Sequence, residues 1–330
     1  MESLLNLGNC ATQGNTGGTF CNAEPARILY AFAVPKGTVI PKSATLSQAA
    51  FATYVNARLK SDNRSDRWQV TPKLVQFKDD TKEPTMEDLD GWENTTQWLP
   101  YKWTWRFANG FAGATKNVHQ IWRKNINQQQ NQFDFLFVDA NNLWMGRTGI
   151  DATGAASLGA VAVSNITVND FKPATVKEGN IYTLTLIIQD NADLNENFAA
   201  IQSTTQTSSF KALTDVSIIA SPVPTTITAT HIYVSGRIGG NTLGKQYGTT
   251  LADITAFVIT NTSASAKVWT STAVSYDVVN DQYDITGSWS ASATGNTITV
   301  GLAAPSIMTV SPFFANIVTE GTNLYSYIAP

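Results

Sequence analysis

Charge is what this 330-residue chain has least of. Only 14% of its residues are Asp, Glu, Lys or Arg, where soluble proteins average about 25%. Its net charge of −3 provides no basic face for gripping a phosphate backbone. Histidine and cysteine are also scarce: His119 and His231, Cys10 and Cys21. Two histidines far apart in sequence, with no second cysteine pair, argue against a zinc site. Cys10 and Cys21 flank a Gly-rich stretch, and their spacing leaves both a disulfide and two separate thiols open. No run of about 20 apolar residues is present, so no membrane span is expected. The opening Met1-Glu2-Ser3-Leu4-Leu5 lacks the basic start and long apolar run of a signal peptide, so synthesis in a cytoplasm is expected.

Chemical motifs are missing as well. No Gly-x-Ser-x-Gly elbow occurs. Gly236-Arg237-Ile238-Gly239-Gly240 lacks the Gly-Lys-Ser/Thr ending of a phosphate loop and reads as a hairpin or loop. Gly146-Arg147-Thr148-Gly149 reads as a turn. Paired carboxylates for glycoside hydrolysis would sit at separate strand ends, whereas the acids here cluster. No catalytic set, cofactor or metal is expected, and the chain is not expected to be an enzyme.

Apolar residues make up 43% of the chain, enough for a substantial core. Thr, Ser, Asn, Gln and Gly must then cover the surface, a composition that suits strands, turns and wide protein contacts. Residues 1–24 read as an extended Gly/Asn/Thr-rich arm, followed by a strand through Ala26–Val34 that Pro35-Lys36-Gly37 stops. The clearest helix covers residues 46–60. Thr45 and Gln48 fit a capping box, and Phe51, Val55 and Leu59 belong to its apolar stripe. Tyr101, Trp103, Trp105 and Phe107 alternate with Lys102, Thr104 and Arg106, the period of a strand with one aromatic core face. Phe133 to Asp139, Asn141-Asn142 and Leu143 to Arg147 read as a hairpin.

Between these lies an acidic stretch: Asp79, Asp80, Glu83, Glu87, Asp88, Asp90 and Glu93, opposed only by Lys82. Seven carboxylates in fifteen residues repel one another, and Pro84 and Gly91 interrupt them, so the stretch reads as a loop. A solvated loop, a wall that repels DNA and a metal site remain open, although the spacing does not match an EF-hand.

Residues 204–209 read as a linker, dividing the chain into a 1–205 domain and a 206–330 domain. In residues 211–330 charge thins further: ten of the chain's 47 charged residues fall there. Short strands, including ones at 266–270, 273–279 and 307–310, recur with turn residues between them, the rhythm of an immunoglobulin-like sandwich. The fold class expected is mainly β: a β-sandwich or barrel with one flanking helix, plus a C-terminal immunoglobulin-like sandwich.

This layout resembles tail-associated virion proteins of tailed phages. The carriers are the arm with Cys10 and Cys21, the strand ending at Val34-Pro35-Lys36-Gly37, the capped helix, the acidic stretch around Lys82-Glu83-Pro84, the Tyr101 to Trp105 strand and the Phe137 to Gly146 hairpin. With its C-terminal sandwich the chain is similar to major tail tube proteins. That resemblance implies rings, commonly hexameric, stacked into a hollow tube with the immunoglobulin-like domain outside. It implies an acidic lumen that DNA passes without sticking, with residues 79–93 as lumen candidates. The expected partners are further copies of the chain and other virion proteins, and the expected location is the virion, after synthesis in the bacterial host cytoplasm. A double jelly-roll major capsid protein is the second reading. An adhesin or carbohydrate-binding virion protein, using the nine Trp and ten Tyr as stacking platforms, is the third.

Overall fold

A computed structural model of the chain describes residues 5–6, 26–82, 85–89, 92–97, 99–107, 122–129, 131–169, 182–195, 197–221, 230–238, 241–319 and 324–328. The chain is mainly β and divides into two compact units. The first comprises Met1–Leu59 and Asn63–Ala212, the second Lys60–Asp62 and Leu213–Pro330. The 204–209 stretch, expected to be a linker, belongs to the first unit. Thr207 N donates to Asn142 Oδ1 at 3.1 Å, and Phe210 packs edge-on against Trp144 at 5.7 Å.

The first unit's strands begin with β1 (Leu5–Asn6), β2 (Ile28–Pro35), β3 (Gln69–Val70) and β4 (Leu74–Asp79). Then come β5 (Thr85–Leu89), β6 (Trp92–Gln97), β7 (Lys102–Phe107), β8 (Phe133–Asp139) and β9 (Leu143–Ile150). The last are β10 (Ala156–Gly159), β11 (Val163–Val168), β12 (Thr183–Ile188) and β13 (Phe198–Gln202). A seven-stranded sheet runs β1-β13-β9-β8-β2-β3, with β10 also on β9. A second sheet runs β11-β12-β7-β4.

The large sheet is buried on both faces, and alternation along its strands divides the side chains between two cores. Ala31, Ala33, Phe135, Phe137 and Met145 enter the core that contains Trp105, Leu184 and Leu186 of the second sheet. Phe32, Val34, Leu136, Val138 and Trp144 enter the core that contains Phe51, Val55 and Leu59 of helix α1 (Gln48–Leu59). The layers are therefore helix, sheet, sheet. Each buried Val, Leu or Phe contributes roughly 1.5–3 kcal/mol.

Helix α1 starts later than the Thr45–Gln48 pattern suggests. Ser47 is the cap: its Oγ accepts from Ala50 N at 3.1 Å. Gln48 instead donates to the Gln202 carbonyl at 2.8 Å and accepts from Thr204 N at 2.9 Å. Leu46 stays 37% exposed. The β8–β9 hairpin forms in the register Val138 opposite Trp144, and Asn142 takes the left-handed conformation its turn needs, φ 59. The Asp139 carboxylate ties that turn, accepting from Asn141 N at 2.7 Å and Leu143 N at 2.9 Å. Gly146 to Gly149, expected as a turn, lies inside β9. A Cβ at Gly146 would collide with the Gly159 carbonyl oxygen of β10, so glycine serves close strand approach there. Residues Trp122 to Asn125 are helical.

The second unit contains β14 (Thr214–Asp215), β15 (Ser217–Ala220), β16 (Thr230–Ile238), β17 (Asn241–Thr242) and β18 (Phe257–Asn261). It continues with β19 (Trp269–Asp277), β20 (Gln282–Trp289), β21 (Thr297–Leu302), β22 (Ile317–Val318) and β23 (Tyr325–Ile328). One sheet runs β15-β16-β20-β19, with β17 on β16, and the other runs β18-β21-β23. Counting these seven main strands along the chain, the first, second, fifth and fourth face the third, sixth and seventh. That is the constant-type immunoglobulin order. The unit has no cysteine. Its core holds Ile232, Val234 and Ile285 from one sheet and Ile298 and Val300 from the other, with Trp289 among them.

Two details differ from expectation. Residues 307–310 are not a strand, because Pro305 opens a short helix, Pro305–Met308. The strand pieces expected at 266–270 and 273–279 are one strand, β19, with a register shift between Ser271 and Ala273.

Candidate functional site

The acidic stretch is not a loop. Its first acids leave β4, and its middle forms an antiparallel hairpin of β5 and β6. Asp79 Oδ1 accepts from Thr81 N at 2.9 Å. Asp80 forms an ion pair with Lys78, and its Oδ2 accepts from the Thr104 hydroxyl at 3.1 Å. Lys78, more than any other group, holds the Asp80 carboxyl below its ordinary value, with Thr104 helping. Lys82 is therefore not the stretch's only opposing cation. A strand places residues two apart on one face, which is the signal in the sequence that would have found Lys78.

Glu87 and Asp88 lie on β5 and Glu93 on β6, with Asp88 opposite Glu93 and Glu87 opposite Asn94 in register. Glu83 and Asp90 lie outside the described residues. The structure thus separates two anchored acids, Asp79 and Asp80, from three on a hairpin. That hairpin is a two-stranded sheet of its own. An isolated two-stranded hairpin is at best marginally stable in water, and like charges directly opposite one another destabilise it further.

The aromatic strand β7 is a core face. Trp105 and Phe107 are buried, and Trp103 is half-buried with its ring 5.7 Å from Phe137. Lys102 is exposed on the other side.

The sheet edges carry features the sequence hid. β4 and β11 are the edges of the small first-unit sheet, and β19 is an edge in the second unit. Each has a register shift: Val75 to Lys78 in β4, Val163 to Asn165 in β11, Ser271 to Ala273 in β19. In β4 the extra residue accompanies Gln76 at φ 51 and leaves Phe77 48% exposed. Such bulges blunt an edge against pairing with other chains. The other end of the large sheet differs, since β13 runs without a shift and β1, from the N-terminal arm, pairs along it.

Among the described residues, no three His, Cys, Asp or Glu are grouped to hold a metal ion, and no helix is long and apolar enough to cross a membrane. His231 lies on β16, while His119, Cys10 and Cys21 lie outside the described residues. Neither a protein-family model nor a curated protein matches the sequence.

Proposed function

We propose that this chain is a structural virion protein that assembles with its own copies into stacked rings, forming a phage tail tube through which DNA passes. The observation that carries this reading is the β5–β6 hairpin. It is acidic, its register sets Asp88 opposite Glu93, and among the described residues it pairs with no other strand. A neighbouring subunit would stabilise a hairpin that pairs with no other strand, and the hairpin's charge would keep DNA from adhering to a tube wall. Two unlike units support a tube domain with an outer immunoglobulin-like domain better than two equal jelly rolls. The low charge content suits wide contacts between copies. In this reading the partners are further copies and other virion proteins, DNA is a passenger, and the chain catalyses nothing.

Negative-stain electron microscopy of the purified chain tests this. Hollow stacked rings or tubes are expected. Shells, flat trimeric capsomers or dispersed monomers would overturn the reading.

A further inference from the structure

The strand β1 holds to the fold through two residue pairs, Leu5 opposite Ile201 and Asn6 opposite Ala200. Its seat, β13, is fixed much more firmly. Ala199, Ala200 and Ile201 are fully buried, five residues of β13 pair with β9, and Gln48 binds its Gln202 carbonyl. β13 stays in the sheet, so without β1 its outer edge presents unpaired backbone groups that a strand can fill.

The chain between β1 and the body of the fold is longer than this seat requires. Leu5, Ile201, Trp144, Val138 and Tyr30 form one rank across the sheet. Leu5 and Tyr30 are therefore four strand spacings apart, roughly 19 Å. About six extended residues would cover that distance. The chain has nineteen, residues 7–25, before Ala26, whose N–H is bound by Asp139 Oδ2 at 2.9 Å. Nineteen residues reach up to about 63 Å, far beyond the molecule's own β13.

We infer that β1 is an exchangeable strand: in the assembled protein the β13 edge of each copy is completed by Leu5–Asn6 of a neighbouring copy. The inference rests on the ring-forming reading and supplies its contact. Exchange keeps the same register and the same hydrogen bonds, so it loses no contact energy. A ring holds the neighbour's arm at high effective concentration. The edge used is one that runs without a bulge, whereas the long edges β4, β11 and β19 are blunted.

The test mixes two full-length chains, both carrying Cys10→Ser and Cys21→Ser, one with Asn6→Cys and the other with Ala200→Cys. They are co-assembled, oxidised and run on a non-reducing gel. Exchange predicts a covalent heterodimer containing about half of the Asn6→Cys chains, the statistical share when either chain type can be the neighbour in a closed ring. Rings that form without heterodimer, while a chain bearing both substitutions crosslinks internally, overturn the exchange and leave the ring reading standing. A chain that forms no assemblies under the microscope sinks both. A second variant lacking residues 1–6 guards against misfolding at the buried Ala200. It is expected to keep a folded first unit and lose assembly, and normal assembly by it also overturns the exchange.

Discussion

The first unit covers its central sheet on both faces, with a helix on one side and a second sheet on the other, whereas the second unit has only two layers and leaves each sheet one face toward solvent. The strands record this difference. In β8 six of seven residues are buried, because neither face meets water. In β20 burial alternates without a break from Gln282 to Trp289. The surfaces differ too. Among the described residues, the first unit exposes three large apolar side chains, Leu46, Phe77 and Ile150, and the second exposes twelve. The second unit is also the charge-poor part of the chain. The contrast teaches that low charge reflects different causes in the two units: deep burial in the first, an apolar and hydroxyl-rich exterior in the second.

The largest test of this contrast is Trp144→Ala. The ring lies 4.4 Å from Phe32, 5.2 Å from Phe51 and 5.7 Å from Phe210, so its loss should cost about 3–5 kcal/mol. Scanning calorimetry of the full chain should show one unfolding transition fall and the other stay. Trp289→Ala, at the second unit's core, should do the reverse. If either substitution lowers both transitions equally, the units unfold as one body and the comparison fails.

Asp139→Ala should come next, at about 3 kcal/mol, because it strips the partner from two turn amides, the buried Leu143 N among them. Urea denaturation should register the loss in the first unit alone.

Acid should separate the units more gently. In the second unit Asp253, Asp277 and Asp281 are all held below the ordinary 3.8, chiefly by Thr255, Asn280 and Thr242. A lowered carboxyl stabilises the fold above its unfolded value, and that contribution is lost as pH falls through the folded value. In the first unit Asp80 and Asp151 are lowered, but burial raises Asp134 and Asp193. Protonating those two on acidification removes a penalty. As pH falls toward 3.8 the first unit's melting temperature should therefore rise while the second unit's holds, and below 3.8 both should fall. Parallel decline of the two transitions would contradict the assignment.

The smallest effect concerns Phe314, which sits at φ 44 and is 70% exposed. Phe314→Gly relieves a left-handed backbone and should stabilise the second unit by about 0.5–1 kcal/mol, read as a shifted denaturation midpoint. A loss of stability instead would mean that the ring contributes packing its exposure hides.

Much of this was legible in the sequence wherever local periodicity and burial agree. Strand β7 announced itself because aromatic and cationic residues alternate, and α1 because Phe51, Val55 and Leu59 recur every four residues. The β8–β9 turn was visible in Asn141-Asn142. Long-range partners were harder to see. The acidic stretch looked like a loop because carboxylates oppose strands, yet β5 and β6 pair there. Lys78 was overlooked as the partner of Asp80 because it falls just before the acidic run. The bulges in β4, β11 and β19 have no composition signal, since a register shift is a property of two strands and not of one. Phe314 followed no pattern at all, and the terminal strand β23, Tyr325–Ile328, was hidden by its brevity.

The three blunted edges also bear on what happens when many copies are crowded together. Two molecules meeting side by side at β4, β11 or β19 would find a ladder interrupted after a few rungs, so those three edges resist zipping into fibrils.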